Sequence, residues 1–209
     1  MPQTRLTDNR RELTPRERIK AFKSKFPHYP PPFEFNGAIY GIWIIGSLYK
    51  KKSEFYGAYP YKVLDRMQAL FPDCERVGHL FSGTIQDPDT LRFDISPEYK
   101  PTICDDVRNI KKYVKEFGEL DIVYADPPYE PSDFEKYGVK PFNKAQTIRD
   151  LGEIMRSGSY LCWLDTRIPI YNKKVWQLYG HIALIVSTNT RVRCWTIWRH
   201  IPGELEGKT

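Results

Sequence analysis

From residue 76 onward the chain alternates short apolar runs with polar breaks that carry glycine or proline, the pattern of a sheet whose strands are buried on both faces. Arg76 to Gly83, Leu91 to Ile95, Pro101 to Asn109, Asp121 to Ala125 and Tyr160 to Asp165 read as five successive strands with their turns. Helical spacing of Lys111, Tyr113, Val114 and Phe117 precedes the fourth. Ala145 to Met155 is helical before the fifth and stops at Ser157-Gly158. A further helix is expected from about Tyr171 to Tyr179. His181 to Val186 and Val192 to Arg199 flank the polar stretch Ser187 to Arg191, which predicts a closing hairpin. Upstream, Val63, Leu64, Met67, Leu70 and Phe71 share one helical face, and Ala38 to Gly46 is β-branched and aromatic, a strand or hairpin arm. Ile19, Phe22 and Phe26 predict an amphipathic helix from about Pro15 to Lys25, closed by a stiff proline linker ending at Pro32. Strands alternating with helices indicate an α/β sandwich. Only seven residues separate Gly83 from Leu91, too few for a helix with its connections, so the first crossover should be clipped.

Composition narrows the class. A chain of 209 residues suffices for one domain with a proper core. Residues 1–30 hold eight Lys/Arg against three Asp/Glu, while the rest hold 24 against 23. The basic character therefore belongs to an N-terminal arm, which suits either nucleic acid or solubility; Lys50-Lys51-Lys52 is a further exposed basic turn. Cys74, Cys104, Cys162 and Cys194 lie far apart with no metal-ligand spacing, so no metal site is expected; they read as buried free thiols of a reducing compartment. The start lacks the apolar core of a secretory signal, and the longest uncharged apolar stretch, Phe35 to Tyr49, is too short and glycine-broken to span a bilayer. A cytoplasmic protein with no membrane partner is the expectation.

The chemistry centres on Asp126-Pro127-Pro128-Tyr129, directly after the apolar run 121–125. Two prolines stiffen the loop and leave its carbonyls free to point outward. An acid before them and an aromatic ring after them stand where open α/β sheets place ligands. Such a loop suits methyl transfer to the amine of a base. A carboxylate and a proline carbonyl accepting the two N–H bonds would localise a lone pair otherwise delocalised into the ring, and the tyrosine would stack on a base removed from its duplex.

The tetrapeptide resembles the signature of S-adenosylmethionine-dependent amino-group methyltransferases, mostly those acting on adenine in DNA. That resemblance covers roughly residues 56–200 and implies a Rossmann-like class I methyltransferase: a three-layer sandwich with a mixed seven-stranded sheet ending in an antiparallel hairpin. Residues 1–55 would then be an arm and appendage, and 201–209 a tail. By the same resemblance Asp126, Pro127, Pro128 and Tyr129 would be catalytic. The cofactor S-adenosylmethionine would be held by Phe81, Ser82 and Gly83 in the turn after the first strand, by Asp94 on the ribose, by Asp106 (or Asp105) on the adenine amine, by Asp126 and by Tyr59. Tyr59 belongs to Tyr56-Gly57-Ala58-Tyr59-Pro60-Tyr61-Lys62, similar to a motif that closes one side of that pocket. One glycine stands at the turn where the family usually has two or three.

The expected activity is methylation of the exocyclic amine of adenine in DNA, with DNA ahead of RNA as partner. Cytosine amines or RNA are the alternative substrates, and a non-catalytic nucleic-acid-binding module is the rival from another class. No block of the size used for target recognition fits the chain, so a protein partner that brings the target is a further expectation. The segment Glu130 to Phe142 reads as a mobile loop whose aromatics either stack on an extruded base or pin the loop to the core.

Overall fold

The computed structural model describes residues 11–45, 59, 62–136, 138–186 and 192–201. Its elements in chain order are α1 (Pro15–Lys25), β1 (Phe33–Phe35), β2 (Ala38–Ile45), α2 (Val63–Leu70), β3 (Val77–Leu80), β4 (Leu91–Asp94), β5 (Ile103–Cys104), a 3-10 helix over Val107–Tyr113, α3 (Val114–Gly118), β6 (Ile122–Ala125), α4 (Pro131–Lys136), α5 (Lys144–Ile154), β7 (Tyr160–Asp165), β8 (Trp176–Val186) and β9 (Val192–His200). The basic triplet 50–52, the hairpin turn 187–191 and the tail 202–209 lie outside the described residues.

All strands join one sheet in the order β1-β2-β8-β9-β7-β6-β3-β4-β5. From β5 through β7 the strands are parallel, in the reversing order of a Rossmann-like sheet. Strand β9 then enters antiparallel to both β7 and β8, the finish expected of the class I arrangement. Among the described residues the sheet has nine strands where seven were expected. The extra two come from the segment expected to be an appendage: β2 pairs in parallel with β8 from Ile39 to Ile45, and β1 folds back on it. The closing hairpin is therefore interior, not an edge.

Period-two alternation divides the buried side chains between two cores. Ile122, Tyr124, Tyr160, Cys162, Leu164, Trp195 and Ile197 face one side, under α1 and α2. Val123, Ala125, Leu161, Trp163 and Trp198 face the other, under the 3-10 helix, α3 and α5. The result is three layers.

The crossovers are short. Residues 81–90 join β3 to β4 without a helix, as the spacing of Gly83 and Leu91 implied, and β4 reaches β5 through a single 3-10 turn. The helix expected over Tyr171 to Tyr179 does not form. Residues 166–175 cross the sheet without helix or strand, and β8 begins at Trp176. The side chain and carbonyl of Asn172 hold a turn by accepting from Lys174 N, Val175 N and Trp176 N, and Val175 and Tyr171 pack into the core as strand-type residues do. The loop expected over Glu130 to Phe142 contains α4, and its Phe134 is buried against Phe142. Packing thus decides in favour of pinning for these two rings; Tyr137 lies outside the described residues. Of the four thiols only Cys162 is buried, and Cys104 is exposed. Among the described residues no helix is long and apolar enough to cross a membrane.

With few crossover helices on the side of α1, the N-terminal segment covers that face. Helix α1 starts at a capping box between Thr14 and Glu17 with Pro15 in its first turn, which fixes its register. Phe22 enters the core and stacks on Trp43 at 5.6 Å. Arg18, one of the eight basic residues of the expected N-terminal arm, is fully buried. Its guanidinium donates to both Asp73 oxygens (2.5 and 2.9 Å), to the Tyr160 and Tyr179 hydroxyls (3.1 Å each) and to the Leu70 carbonyl (3.2 Å), and lies 4.5 Å from the centre of the Phe71 ring. Removing Arg18 would leave the half-buried Asp73 carboxylate with only the Leu13 amide, and would take one hydrogen bond from each of the Tyr160 and Tyr179 hydroxyls, which keep Glu12 and the Leu13 carbonyl. Arg18→Ala should cost about 3–5 kcal/mol in chemical denaturation. Deletion of residues 1–30 should yield an unfolded or insoluble chain; a stable deletion product with native circular dichroism would contradict the packing role of α1.

Candidate active site

Strands β3 and β6 are neighbours in register, Leu80 beside Ala125, and their connections leave in opposite directions along the sheet. This is the switch point at which a crevice opens beyond the carboxyl ends of the strands. The turn 81–83 and the loop 126–129 leave from it side by side.

The turn after β3 is strained. Phe81 (φ 62°) and Gly83 (φ 50°) both lie in the left-handed region, which costs a non-glycine residue about 1–2 kcal/mol. Packing and hydrogen bonds impose it. The Phe81 ring stacks on Phe142 at 5.2 Å and meets Trp163 edge-on, Ser82 N donates to the Phe93 carbonyl, and Gly83 N donates to Asp94 Oδ2 at 2.8 Å. Asp94, at the end of β4, is buried and also accepts from Ser96 N at 2.9 Å. The Ser82 hydroxyl is buried with no partner.

Across the crevice, Tyr129 Oη donates to Asp126 Oδ1. Asp133 Oδ2 accepts from the Tyr129 and Glu130 amides (3.0 and 3.1 Å), so the first turn of α4 holds the loop. Lys144, at the start of α5, donates to the Tyr129 carbonyl (3.2 Å) and to Asp165 at the end of β7 (2.6 Å). The Arg193 guanidinium of β9 lies 5.2 Å from the centre of the Tyr129 ring, and its buried Nε is unpartnered. Tyr59 stacks on Trp195 at 5.8 Å with its buried hydroxyl likewise unpartnered. Pro127 is buried and Pro128 half-buried.

Asp126 keeps some accessible surface but is surrounded by protein, and burial pushes its pKa up to about 7. The Tyr129 hydrogen bond and the Arg193 and Lys144 charges pull downward, and the Asp165 carboxylate pushes up. Burial, then the Asp126 charge, raises the Tyr59 and Tyr129 phenols, so both are neutral donors.

The fold thus groups Tyr59, Phe81, Ser82, Gly83, Asp94, Asp126 and Tyr129. The third-strand acids stand apart in their bonding. Asp106 caps the 3-10 helix and is paired with Arg108 through both oxygens. Asp105 accepts from Asn109 and the Tyr113 hydroxyl, each at 2.8 Å. The rest of the motif 56–62 is outside the described residues except Lys62. Asp133, Lys144 and Arg193 were not legible as site residues. Asp165 carried one signal, an acid at the end of a strand.

No protein-family model and no curated protein matches the chain. Among solved structures it is similar to TrmN from Thermus thermophilus (14% identity, TM-score 0.43, covering 61% of this chain and 44% of that one). It is also similar to a proposed SAM-dependent methyltransferase from Streptococcus mutans (16%, 0.43, 59% and 44%). A third is the SAM-dependent methyltransferase from Agrobacterium tumefaciens (14%, 0.41, 80% and 69%). The chain spans less than half the length of the first two.

The raised Asp126 carboxyl fixes a sign. Its folded pKa of about 7 exceeds the unfolded value of about 3.9, so the native state holds the proton longer. Stability should fall as pH rises from about 4 to about 7, and the cost is complete above that range. Asp126→Asn should therefore stabilise the protein by about 1–3 kcal/mol at pH 8, with the gain vanishing near pH 4. Equal stabilisation at both pH values would show that the carboxyl charge is not the cause.

Proposed function

We propose that the protein transfers a methyl group from S-adenosylmethionine to the exocyclic amine of a nucleic-acid base, adenine in DNA first. The observation that carries this reading is the placement of Asp126-Pro127-Pro128-Tyr129 at the carboxyl end of β6, beside the strained Phe81-Ser82-Gly83 turn at the switch point of the sheet. The residues present fit the cofactor. The unpartnered Ser82 and Tyr59 hydroxyls are donors awaiting an acceptor, and Asp94 retains lone pairs for ribose hydroxyls after accepting from Gly83 and Ser96. Asp106 would reach an adenine amine only by sharing its oxygens with Arg108, and Asp105 only by sharing with Asn109 and Tyr113.

When bound, S-adenosylmethionine supplies an electrophilic methyl group. The chain's own residues supply position and charge. Asp126 accepts an N–H of the target amine in place of the Tyr129 hydroxyl it holds in the free protein, and the Pro127 carbonyl accepts the other. Released from Asp126, Tyr129 turns its ring to the base, with the Arg193 cation on its far side. Lys144 anchors the backbone of the loop through the Tyr129 carbonyl and is itself held by Asp165, so the loop keeps its shape as the tyrosine moves. The methylated nitrogen must shed a proton, and a carboxylate with a pKa of about 7 is matched to receive it at neutral pH.

Transfer of labelled methyl groups to DNA and to RNA, followed by nucleoside analysis, tests activity, polymer and base together. Labelled N6-methyladenine from DNA is the expected product; a cytosine or RNA product would move the substrate, and no product from either polymer would leave the non-catalytic module. Asp126→Ala should lower turnover about 10²-fold or more and leave cofactor affinity nearly intact, since Asp94, Ser82 and Tyr59 remain to hold the cofactor. Asp94→Ala should weaken cofactor binding in calorimetry by about 1–3 kcal/mol. The rate with wild-type protein should rise with pH through a limb near 7, since the ionised carboxyl accepts the amine hydrogen.

A further inference from the structure

The face of the sheet opposite α1 is covered by helices only over its β5-to-β7 half. Beyond that, the helix-free connection 166–175 crosses beside β9, and among the described residues no helix covers the outer strands. Their outward side chains form cross-strand rows: Phe33, Tyr40 and His181 in one, Ile42, Ala183 and Cys194 in the next, Ile44, Ile185 and Val192 in the third. Rings link the first row at 6.0 Å (Phe33 to Tyr40) and 6.3 Å (Tyr40 to His181), and Phe35 joins Tyr40 at 6.5 Å. Phe33, Phe35, Ile42, Ile44 and Val192, with Ile168 and Ile170 on the flanking connection, are 53–79% exposed. The large exposed hydrophobic residues of the described chain thus concentrate on one face.

We propose that this face is the interface of a twofold-symmetric homodimer. The area matches. Seven side chains of roughly 200 Å² each, open to this extent, present roughly 900 Å² per molecule, close to the about 800 Å² that each partner gives a stable interface. The charge matches as well. A twofold axis sets a patch against its own copy, so a charged patch would repel itself, whereas the three rows contain no Asp, Glu, Lys or Arg. His181, the one imidazole in the rows, has its pKa lowered by burial and is uncharged at neutral pH. The contact is also closed. Pro32 runs so near β2 that a Cβ on Gly41 would meet it at 3.3 Å, and the Pro30-Pro31-Pro32 run offers no N–H to a strand added at this edge. Edge addition is thus disfavoured beside Gly41, and a twofold face-to-face contact closes at two copies.

Sedimentation equilibrium of the full chain should give twice the 24.6 kDa of one copy at about 10 μM. Ile42→Lys with Ile44→Lys should give the single-copy mass with an unchanged circular dichroism spectrum, because both side chains already face water in the folded monomer. Phe35→Glu, at the rim on the short strand β1, is a milder second variant and should raise the dimer dissociation constant at least about tenfold. A single-copy mass for the wild-type protein up to about 100 μM would overturn the proposal, as would a dimer whose dissociation constant neither variant moves. A wild-type monomer that binds a different protein through this face would also overturn it.

Discussion

The buried Arg18 guanidinium is the interaction on which the architecture rests. A sheet of this kind needs both faces covered, and its crossovers ordinarily provide the helices. Here the β3–β4 and β4–β5 links are too short to do so, and α1 and α2 cover the aromatic face instead. A helix docked by apolar contact alone can slide. Arg18 prevents that by tying α1 to Asp73, to the Leu70 carbonyl at the end of α2, and to hydroxyls on β7 and β8. The cation is stable in the interior because it is bidentate to a carboxylate, hydrogen-bonded on every side and stacked on Phe71.

The crevice at the other end of the sheet depends on an opposed balance. Burial pushes the Asp126 pKa up; the Tyr129 hydrogen bond, then the cations Arg193 and Lys144 on β9 and α5, pull it down. The loop that carries it is held from three directions: by Asp133 on its amides, by Lys144 on its carbonyl, and by the rigid proline pair within it. Across the gap, the left-handed Phe81 is paid for by its stack on Phe142, so the segment between the loop and α5 also shapes the turn after β3. Strain concentrated where two loops meet, next to unpartnered buried hydroxyls, supports the proposed ligand site.

Economy of length links these features. The same shortening that removes crossover helices near β3 and β4 removes one between β7 and β8, and the outer strands are left with an apolar face open to solvent. On one side of the sheet the N-terminal helix fills the gap within the chain. On the other side, by our proposal, a second copy does.

The sequence by itself determined the strands of the parallel core, the helices at 15–25, 63–70 and 144–154, the clipped first crossover and the position of Asp-Pro-Pro-Tyr after a buried strand. Each of these is written in local periodicity or spacing: α1 in the spacing of Ile19, Phe22 and Phe26, β6 in its unbroken apolar run, the missing helix in a count of residues. Tertiary structure alone decided what distant segments do together. The charge of Arg18 suggested solvent until Asp73, Tyr160 and Tyr179 were placed around it, and β2 looked like an appendage until its pairing with β8 was seen. The helical spacing of residues 171–179 gave way to the two-fold period of a strand because Trp176, pinned by its indole N–H to the Ile148 carbonyl, had to face α5. Lys144, Asp165 and Arg193 could not be assigned to the site from sequence, since each stands at the end of a different element and only the order of the sheet brings them to Tyr129. Periodicity records which face a residue takes; it carries no information on which other face will meet it.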